Sequence, residues 1–309
     1  MSLALVFPGQ GAQYVGMGAQ LAAQVPAAKR LLDEADSTLG FPLSRIIAEG
    51  PEAQLTRTDI SQPAILVSSL MSYEALKTRQ TPRFDAVAGL SLGEYTALVV
   101  AGVLGFSDAV RLVRLRGEAM QAASEPQASG MVALIGADEA SAQRLCLQAA
   151  HGQVLQVANL NSTGQVVISG HAAACERACA LVAASGKELG IRKAIALNVA
   201  GAFHSALMAP AAARLRTALA ATRFAPAQVP VYCNVHARPV SDPAQFPELL
   251  VSQLTQVVRW ADSVVAMHSA GVSEFLELGP GKTLGGMIQR TLKDVVCRNV
   301  DGFETLPAA

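Results

Sequence analysis

Residues 89–93 read Gly89-Leu90-Ser91-Leu92-Gly93, a Gly-x-Ser-x-Gly run between a strand-like stretch (84–90) and a helical pattern (94–100). In that context the glycines let the chain turn sharply and expose the serine at a helix N-terminus. There the helix dipole and free N–H groups favour the anion formed during acyl transfer. Glycines around a serine also build plain turns, so the motif alone leaves both readings open. A serine needs a base to become a nucleophile, and the chain has five histidines: His151, His171, His204, His236 and His268. His204 has the best setting, in Val199-Ala200-Gly201-Ala202-Phe203-His204-Ser205, where a strand returning from the middle of the chain meets a helix start. His236 falls in a loop after a strand at 229–234, His268 late in a helix, and His151 and His171 in the middle segment. Position favours His204 without settling the choice.

Arg116 is the physical oddity. The pattern predicts a helix over 107–121 with Ser107 as N-cap and Gly117 as its weak point. At about 100° per residue, Arg111, Arg114 and Glu118 share one face. Ala109, Leu112, Val113 and Met120 share the other, and Arg116 sits among them. A guanidinium in an apolar stripe needs an anionic partner, because an unpaired buried charge is very costly. A protein carboxylate would make it a structural ion pair. A substrate carboxylate would make it a recognition group, a task that suits the arginine fork better than lysine.

Other patterns carry less. Gly9-Gln10-Gly11 follows a strand but lacks the third glycine of a dinucleotide fingerprint, since Tyr14 stands there; it fits better as an N–H donor loop beside a serine site. Gly281-Lys282-Thr283 resembles the end of a phosphate loop, yet Leu276 occupies the required upstream glycine position. His171, Cys175 and Cys179 would share a helix face, but its ends are about 12 Å apart along the axis, too far to converge on one metal ion. No metal site is expected.

These residues need a scaffold, and the chain supplies an α/β one. Apolar runs at 3–7, 84–90, 229–234 and 274–278 read as buried parallel strands between helical patterns. The middle has another rhythm: strand 131–136, helix 139–150, strands 155–162 and 165–170 around Thr163-Gly164, helix 172–185, strand 192–199. That β-α-β-β-α-β order is the split ferredoxin-like unit. The expected fold is therefore a hydrolase-like parallel-sheet large domain, residues 1–129 and 198–309, with an inserted ferredoxin-like (βαββαβ) small domain, residues 130–197. The chain length of 309 residues agrees with two units at about 100–200 residues each. Composition narrows the class. Hydrophobic residues make up 51%, and the 24 basic residues balance 24 acidic ones. This argues against disorder and against nucleic-acid binding, which normally brings a basic excess. The start has no charged leader, no apolar run reaches about 18 residues, and the five cysteines form no disulfide framework. A soluble, cytoplasmic protein with no membrane association is expected.

Taken together, the chain resembles the malonyl-CoA:acyl carrier protein transacylase family. The resemblance rests on Phe7-Pro8-Gly9-Gln10-Gly11, Ser61-Gln62-Pro63-Ala64, the Ser91 run continuing into Gly93-Glu94-Tyr95, and Arg114-Leu115-Arg116-Gly117. It continues through Asn161-Ser162, Gly164-Gln165-Val166-Val167-Ile168-Ser169-Gly170, Gly201-Ala202-Phe203-His204-Ser205 and Gly279-Pro280-Gly281-Lys282. It implies Ser91 as nucleophile, His204 as base and Arg116 as the malonate-binding arginine. It further implies an oxyanion hole from the backbone N–H groups of Gln10 and Leu92, and a backbone carbonyl at Gln253 that orients the imidazole. Phe203, Gln62 and Asn161 are implied as substrate-binding, with Phe203 restricting room at C2 of the acyl group. The residue before the nucleophile is usually His in this family, whereas Leu90 stands here. The resemblance implies no cofactor: malonyl-CoA is a substrate, and the phosphopantetheine is carried by the partner, an acyl carrier protein. The enzyme is expected to be a monomer.

The residues also admit other readings: the transacylase of a malonate decarboxylase or polyketide system, a serine thioesterase or hydrolase, and a carrier-docking module with a vestigial site. From Lys282 to Arg298, the basic residues Lys282, Arg290, Lys293 and Arg298 face only Asp294. That local excess is either a solvated surface or a dock for an acidic carrier.

Overall fold

The computed structural model of the chain describes residues 2–79 and 82–307. Ten strands are present among them: β1 (Ser2–Phe7), β2 (Ala86–Gly89), β3 (Ser129–Ile135), β4 (Leu155–Ser162), β5 (Gln165–His171), β6 (Lys193–Ala196), β7 (Val231–Cys233), β8 (Arg238–Val240), β9 (Val272–Leu278) and β10 (Val296–Val300). The helices that bear on the site are α1 (Thr58–Arg79), α2 (Gly93–Val100), α3 (Phe106–Ser124), α4 (Glu139–Ala150), α5 (Ala172–Leu189), α6 (Phe246–Gln253) and α7 (Thr283–Thr291).

The larger sheet has the order β10-β9-β1-β2-β7-β8 and is parallel except for the β7–β8 pair. Its central strand explains its own sequence. Leu5 and Phe7 of β1 point into the core shared with α1, while Ala4 and Val6 pack with Trp260, Phe275 and Ile288 on the opposite face. With both faces covered, the strand is a continuous apolar run instead of an alternation. Helix α1 is buried through most of its length. Helix α3 lies against its start because residue 117 has no side chain: a Cβ there would sit 2.5 Å from the Thr58 carbonyl oxygen. The helix's weak point in isolation is thus what seats Arg116 opposite Gln62.

The smaller sheet is antiparallel, in the order β4-β5-β3-β6. Its strands alternate. In β3, Val132 and Leu134 face α4 and α5 with Leu145, Ile168 and Val182, whereas Met131 and Ala133 join the large core. This period of two lets one strand serve a private core and a cleft wall at once.

Several boundaries differ from the sequence expectation for identifiable reasons. The strand expected at 84–90 is only Ala86–Gly89: Leu90 still donates its N–H to the Phe7 carbonyl (3.0 Å), and the chain then leaves the sheet through the left-handed Ser91. The strand expected at 192–199 stops at Ala196, and Leu197, Asn198 and Val199 peel away to line the cleft. Helix α5 runs to Leu189, past a non-helical Ser185. Helix α3 begins at Phe106 with Gly105 as N-cap, so Ser107 is not the cap; its hydroxyl bonds the Glu34 carboxylate. His171 ends β5 and does not share a helix face with Cys175 and Cys179. Its ring accepts from the Val154 N–H and donates to Gln127.

Strand β9 contributes one unusual group. The Glu277 carboxylate is buried and accepts the backbone N–H groups of Leu284 (3.1 Å) and Gly285 (2.9 Å) at the start of α7. Burial outweighs those donors and pushes its pKa up from 4.5 to about 7. The folded state therefore holds this proton more tightly than the unfolded state. The associated stability is complete below pH 4.5 and is lost as pH rises through about 7. Relative to Glu277→Gln, the wild type should lose up to about 3 kcal/mol across that window. Urea unfolding of both proteins at several pH values measures this; a difference independent of pH would contradict it.

Candidate active site

The turn from β2 into α2 is very tight. A Cβ on Gly89 would lie 1.9 Å from the Gly93 carbonyl carbon, and one on Gly93 would lie 2.1 Å from the Phe7 oxygen. Between them Ser91 adopts φ 52°, a left-handed conformation that costs a non-glycine residue about 1–3 kcal/mol unless its surroundings enforce it. Asn234, just after β7, supplies that enforcement. Its Oδ1 accepts the Ser91 N–H at 2.7 Å and its Nδ2 donates to the Gly89 carbonyl at 2.7 Å.

Ser91 Oγ is 2.8 Å from His204 Nε2, and His204 Nδ1 is 2.7 Å from the Gln253 carbonyl oxygen at the end of α6. A carbonyl only accepts, so Nδ1 carries the proton and Nε2 offers its lone pair to the serine hydroxyl. The ring is buried. Burial first, and then the charge of Arg116, pull its pKa from 6.5 down to about 4, against the Gln253 carbonyl that favours the charged ring. The imidazole is therefore neutral at neutral pH and able to receive a proton.

Arg116, only 1% exposed, projects from α3 into the same cluster. Its guanidinium donates to Gln62 Oε1 (2.8 Å), to Gln253 Oε1 (2.9 Å) and to Ser91 Oγ (2.9 Å), and lies 5.7 Å from the centre of the Tyr95 ring. None of the ion pairs among the described residues includes it, and its Nε is buried without a partner. Burial pulls its pKa down from the ordinary arginine value, yet an arginine stays protonated at neutral pH.

These groups open onto a cavity of about 350 Å³ between the two sheets. Gln10, Leu90, Ser91, Arg116, Asn161, Phe203 and His204 all line it, with Leu284 and Met287 of α7 closing the far wall. Asn161 Oδ1 has no partner. Among the described residues, no acceptor engages the backbone N–H of Gln10 or Leu92, so both donors remain open. Gln62 requires a correction: it does not line the cavity but sits fully buried behind Arg116, with its Nε2 on Met120 Sδ. Leu90 is a cavity wall and brings no polar group where the resembling family usually has His.

Three features escaped the sequence reading: Asn234, Glu94 and the side chain of Gln253. The Gln253 amide donates to Glu94 Oε2 (2.9 Å) and to the Ser91 carbonyl (3.0 Å), and Glu94 also accepts the Asn234 N–H (3.0 Å). Burial pushes the Glu94 carboxyl up, while those donors and Arg116 pull it back. Asn234 had a usable signal, since it follows the carboxyl end of a parallel strand, where sites in such sheets collect. Glu94 had none, because an acid in a first helical turn is ordinary dipole compensation.

A mostly parallel sheet with a serine on a strained elbow, a neutral histidine against it and open N–H donors nearby is the architecture of an α/β acyl-transfer protein. The chain belongs to the acyl transferase domain family, which it matches over residues 4–307. It is 45% identical over 309 residues to the malonyl CoA-acyl carrier protein transacylase of Bacillus subtilis, covering 99% of this chain and 96% of that one. The malonyl CoA-acyl carrier protein transacylase structure from Coxiella burnetii superposes with a TM-score of 0.94 at 37% identity, over 99% of this chain and 95% of that one. A malonyl-transacylase solved with its type II polyketide acyl-carrier protein superposes at 0.93 with 38% identity, over 98% and 96% of the two chains.

Proposed function

We propose that this chain transfers a malonyl group from malonyl-CoA to the phosphopantetheine thiol of an acyl carrier protein, through a malonyl ester on Ser91, for fatty acid synthesis. The observation that carries this reading is that one hydroxyl, Ser91 Oγ, lies 2.8 Å from a histidine lone pair and 2.9 Å from a buried guanidinium. The first contact makes a nucleophile. The second places a cation where the free carboxylate of a malonyl ester on that oxygen would lie. A simple thioesterase needs the first contact and has no use for the second.

In the first half-reaction His204 Nε2 takes the Ser91 proton as Oγ attacks the thioester carbonyl. The N–H groups of Gln10 and Leu92 receive the tetrahedral oxyanion. The C–S bond breaks, and CoA leaves with the proton from His204. Arg116 exchanges its neutral partners for the malonyl carboxylate, a charge-assisted and therefore stronger contact. The carrier thiol then attacks the malonyl-serine by the reverse sequence. Phe203 and Asn161 bound the acyl group. The exposed Lys282, Arg290 and Lys293 beside the α7 wall suit an acidic carrier, whereas Arg298 has Glu274 within 3.6 Å. Every group comes from one chain, so a monomer suffices, and no resident cofactor enters any step.

Intact-mass spectrometry tests the reading. Malonyl-CoA should add one malonyl group, absent in Ser91→Ala, that persists in water and discharges on adding pantetheinylated carrier, whether fatty-acid or polyketide in type. An adduct that survives in Ser91→Ala, or that water removes as fast as the carrier does, would refute it.

A further inference from the structure

Arg116 is a fully desolvated cation whose protein partners are two amides and a hydroxyl. Such a charge is costly without compensation. A carboxylate stands one amide away. Gln253 Oε1 accepts from the guanidinium at 2.9 Å, and Nε2 of the same amide donates to Glu94 Oε2 at 2.9 Å. Glu94 is 1% exposed, and its Oε2 also accepts the Asn234 N–H. Both donors converge on Oε2, and hydrogen bonds donated to a carboxylate favour its ionised form, against the burial that disfavours it. The order is thus carboxylate, amide N–H end, amide C=O end, guanidinium, so each end of the amide dipole meets the opposite charge.

We propose that Glu94 is the buried counter-charge of Arg116, coupled to it through the Gln253 side chain, and that this indirect pairing sets how tightly the site holds an acyl carboxylate. The inference rests on the malonyl-transfer reading above and makes Glu94 a positioning residue. A direct Glu–Arg pair would occupy the guanidinium fork with a carboxylate that a substrate must displace. The amide spacer compensates the charge at a distance and leaves the fork bonded only to neutral groups, which an incoming carboxylate outcompetes. Because Gln253 also bonds the Ser91 carbonyl and orients His204, the relay is anchored to both reacting residues.

Glu94→Gln is the informative change, since a carboxamide oxygen can still accept from Gln253 and Asn234 while the charge is gone. It should be made in the full chain in the wild-type and Arg116→Met backgrounds. With Arg116 present, the variant strips a buried cation of its counter-charge, and the urea midpoint should fall. In Arg116→Met it removes a buried anion that has lost its cation, and the midpoint should rise. A shift of the same sign in both backgrounds would overturn the proposal. If Glu94→Gln alone does not fold, recovery in the double variant supports the pairing and failure in both backgrounds overturns it. In steady-state assays, Glu94→Gln should lower KM for malonyl-CoA about threefold or more relative to KM for acetyl-CoA, by removing repulsion of the substrate carboxylate. Equal changes for both thioesters would mean a merely structural residue. If the wild type forms no malonyl-serine, the transfer reading fails, while the unfolding comparison still decides the charge pair.

Discussion

Ser91→Ala and His204→Ala are each expected to lower kcat/KM for malonyl-CoA by about 10⁴–10⁶-fold, with the double variant losing little more than either alone. In the proposed reaction the two side chains act as one unit: the hydroxyl without its base is a poor nucleophile, and the base without its hydroxyl has nothing to deprotonate. Losses that multiply in the double variant would show two independent roles. The same pair fixes the pH dependence. His204 must be neutral to accept the serine proton, and its pKa is held near 4 by burial and by Arg116. Activity should therefore persist through pH 5–6 and fall as pH drops through about 4, where the ring charges. In Arg116→Met one of the two depressing causes is gone, so the residual activity should fall at a higher pH than in the wild type. An acid limb near 6.5 in the wild type would mean that the imidazole is far better solvated than its burial allows.

The parts of this arrangement that announce themselves in sequence are those with a one-dimensional signature. The β-α-β-β-α-β middle was legible because strand periodicity and the Thr163-Gly164 turn are local, and the sheet order follows from them. Ser91 was legible because only glycines tolerate the close approaches at 89 and 93. Arg116 was legible because a charge in an apolar stripe breaks the helical period. What stayed hidden depends on distant pairings. Asn234 lies 143 residues from the serine whose N–H it accepts, and Gln253 meets Glu94 from 159 residues away. The place of Asn234 after a parallel strand marks a site region, but its partner, like the Gln253–Glu94 contact between two helices, is set only by the tertiary fold. Gln62 shows the converse. Its motif marked it as important, but whether it faces the substrate or supports Arg116 depends on the approach of α1 to α3 at Gly117, which no local pattern encodes.

Arg116→Met is expected to reduce kcat/KM for malonyl-CoA about 10²–10³-fold more than kcat/KM for acetyl-CoA. Truncating one member of a buried, hydrogen-bonded charge pair costs about 2–5 kcal/mol, most of it from the carboxylate left without a partner. Acetyl-CoA has no such carboxylate and escapes that part of the loss. It does not escape entirely, because the guanidinium also donates to Ser91 Oγ at 2.9 Å and so helps hold the nucleophile. The ratio between the two thioesters separates these roles: the shared loss reports on Ser91 and the excess on carboxylate recognition. Arg116→Lys sharpens the comparison. An ammonium keeps the charge but is a single point, and it cannot reach Gln62, Gln253 and Ser91 from one rigid plane as the guanidinium does. Lysine should therefore recover part of the malonyl preference while leaving the shared loss largely in place. Equal losses for malonyl- and acetyl-CoA in both variants would confine Arg116 to supporting Ser91, and the cavity would then have no group that distinguishes a malonyl ester from any other small acyl chain.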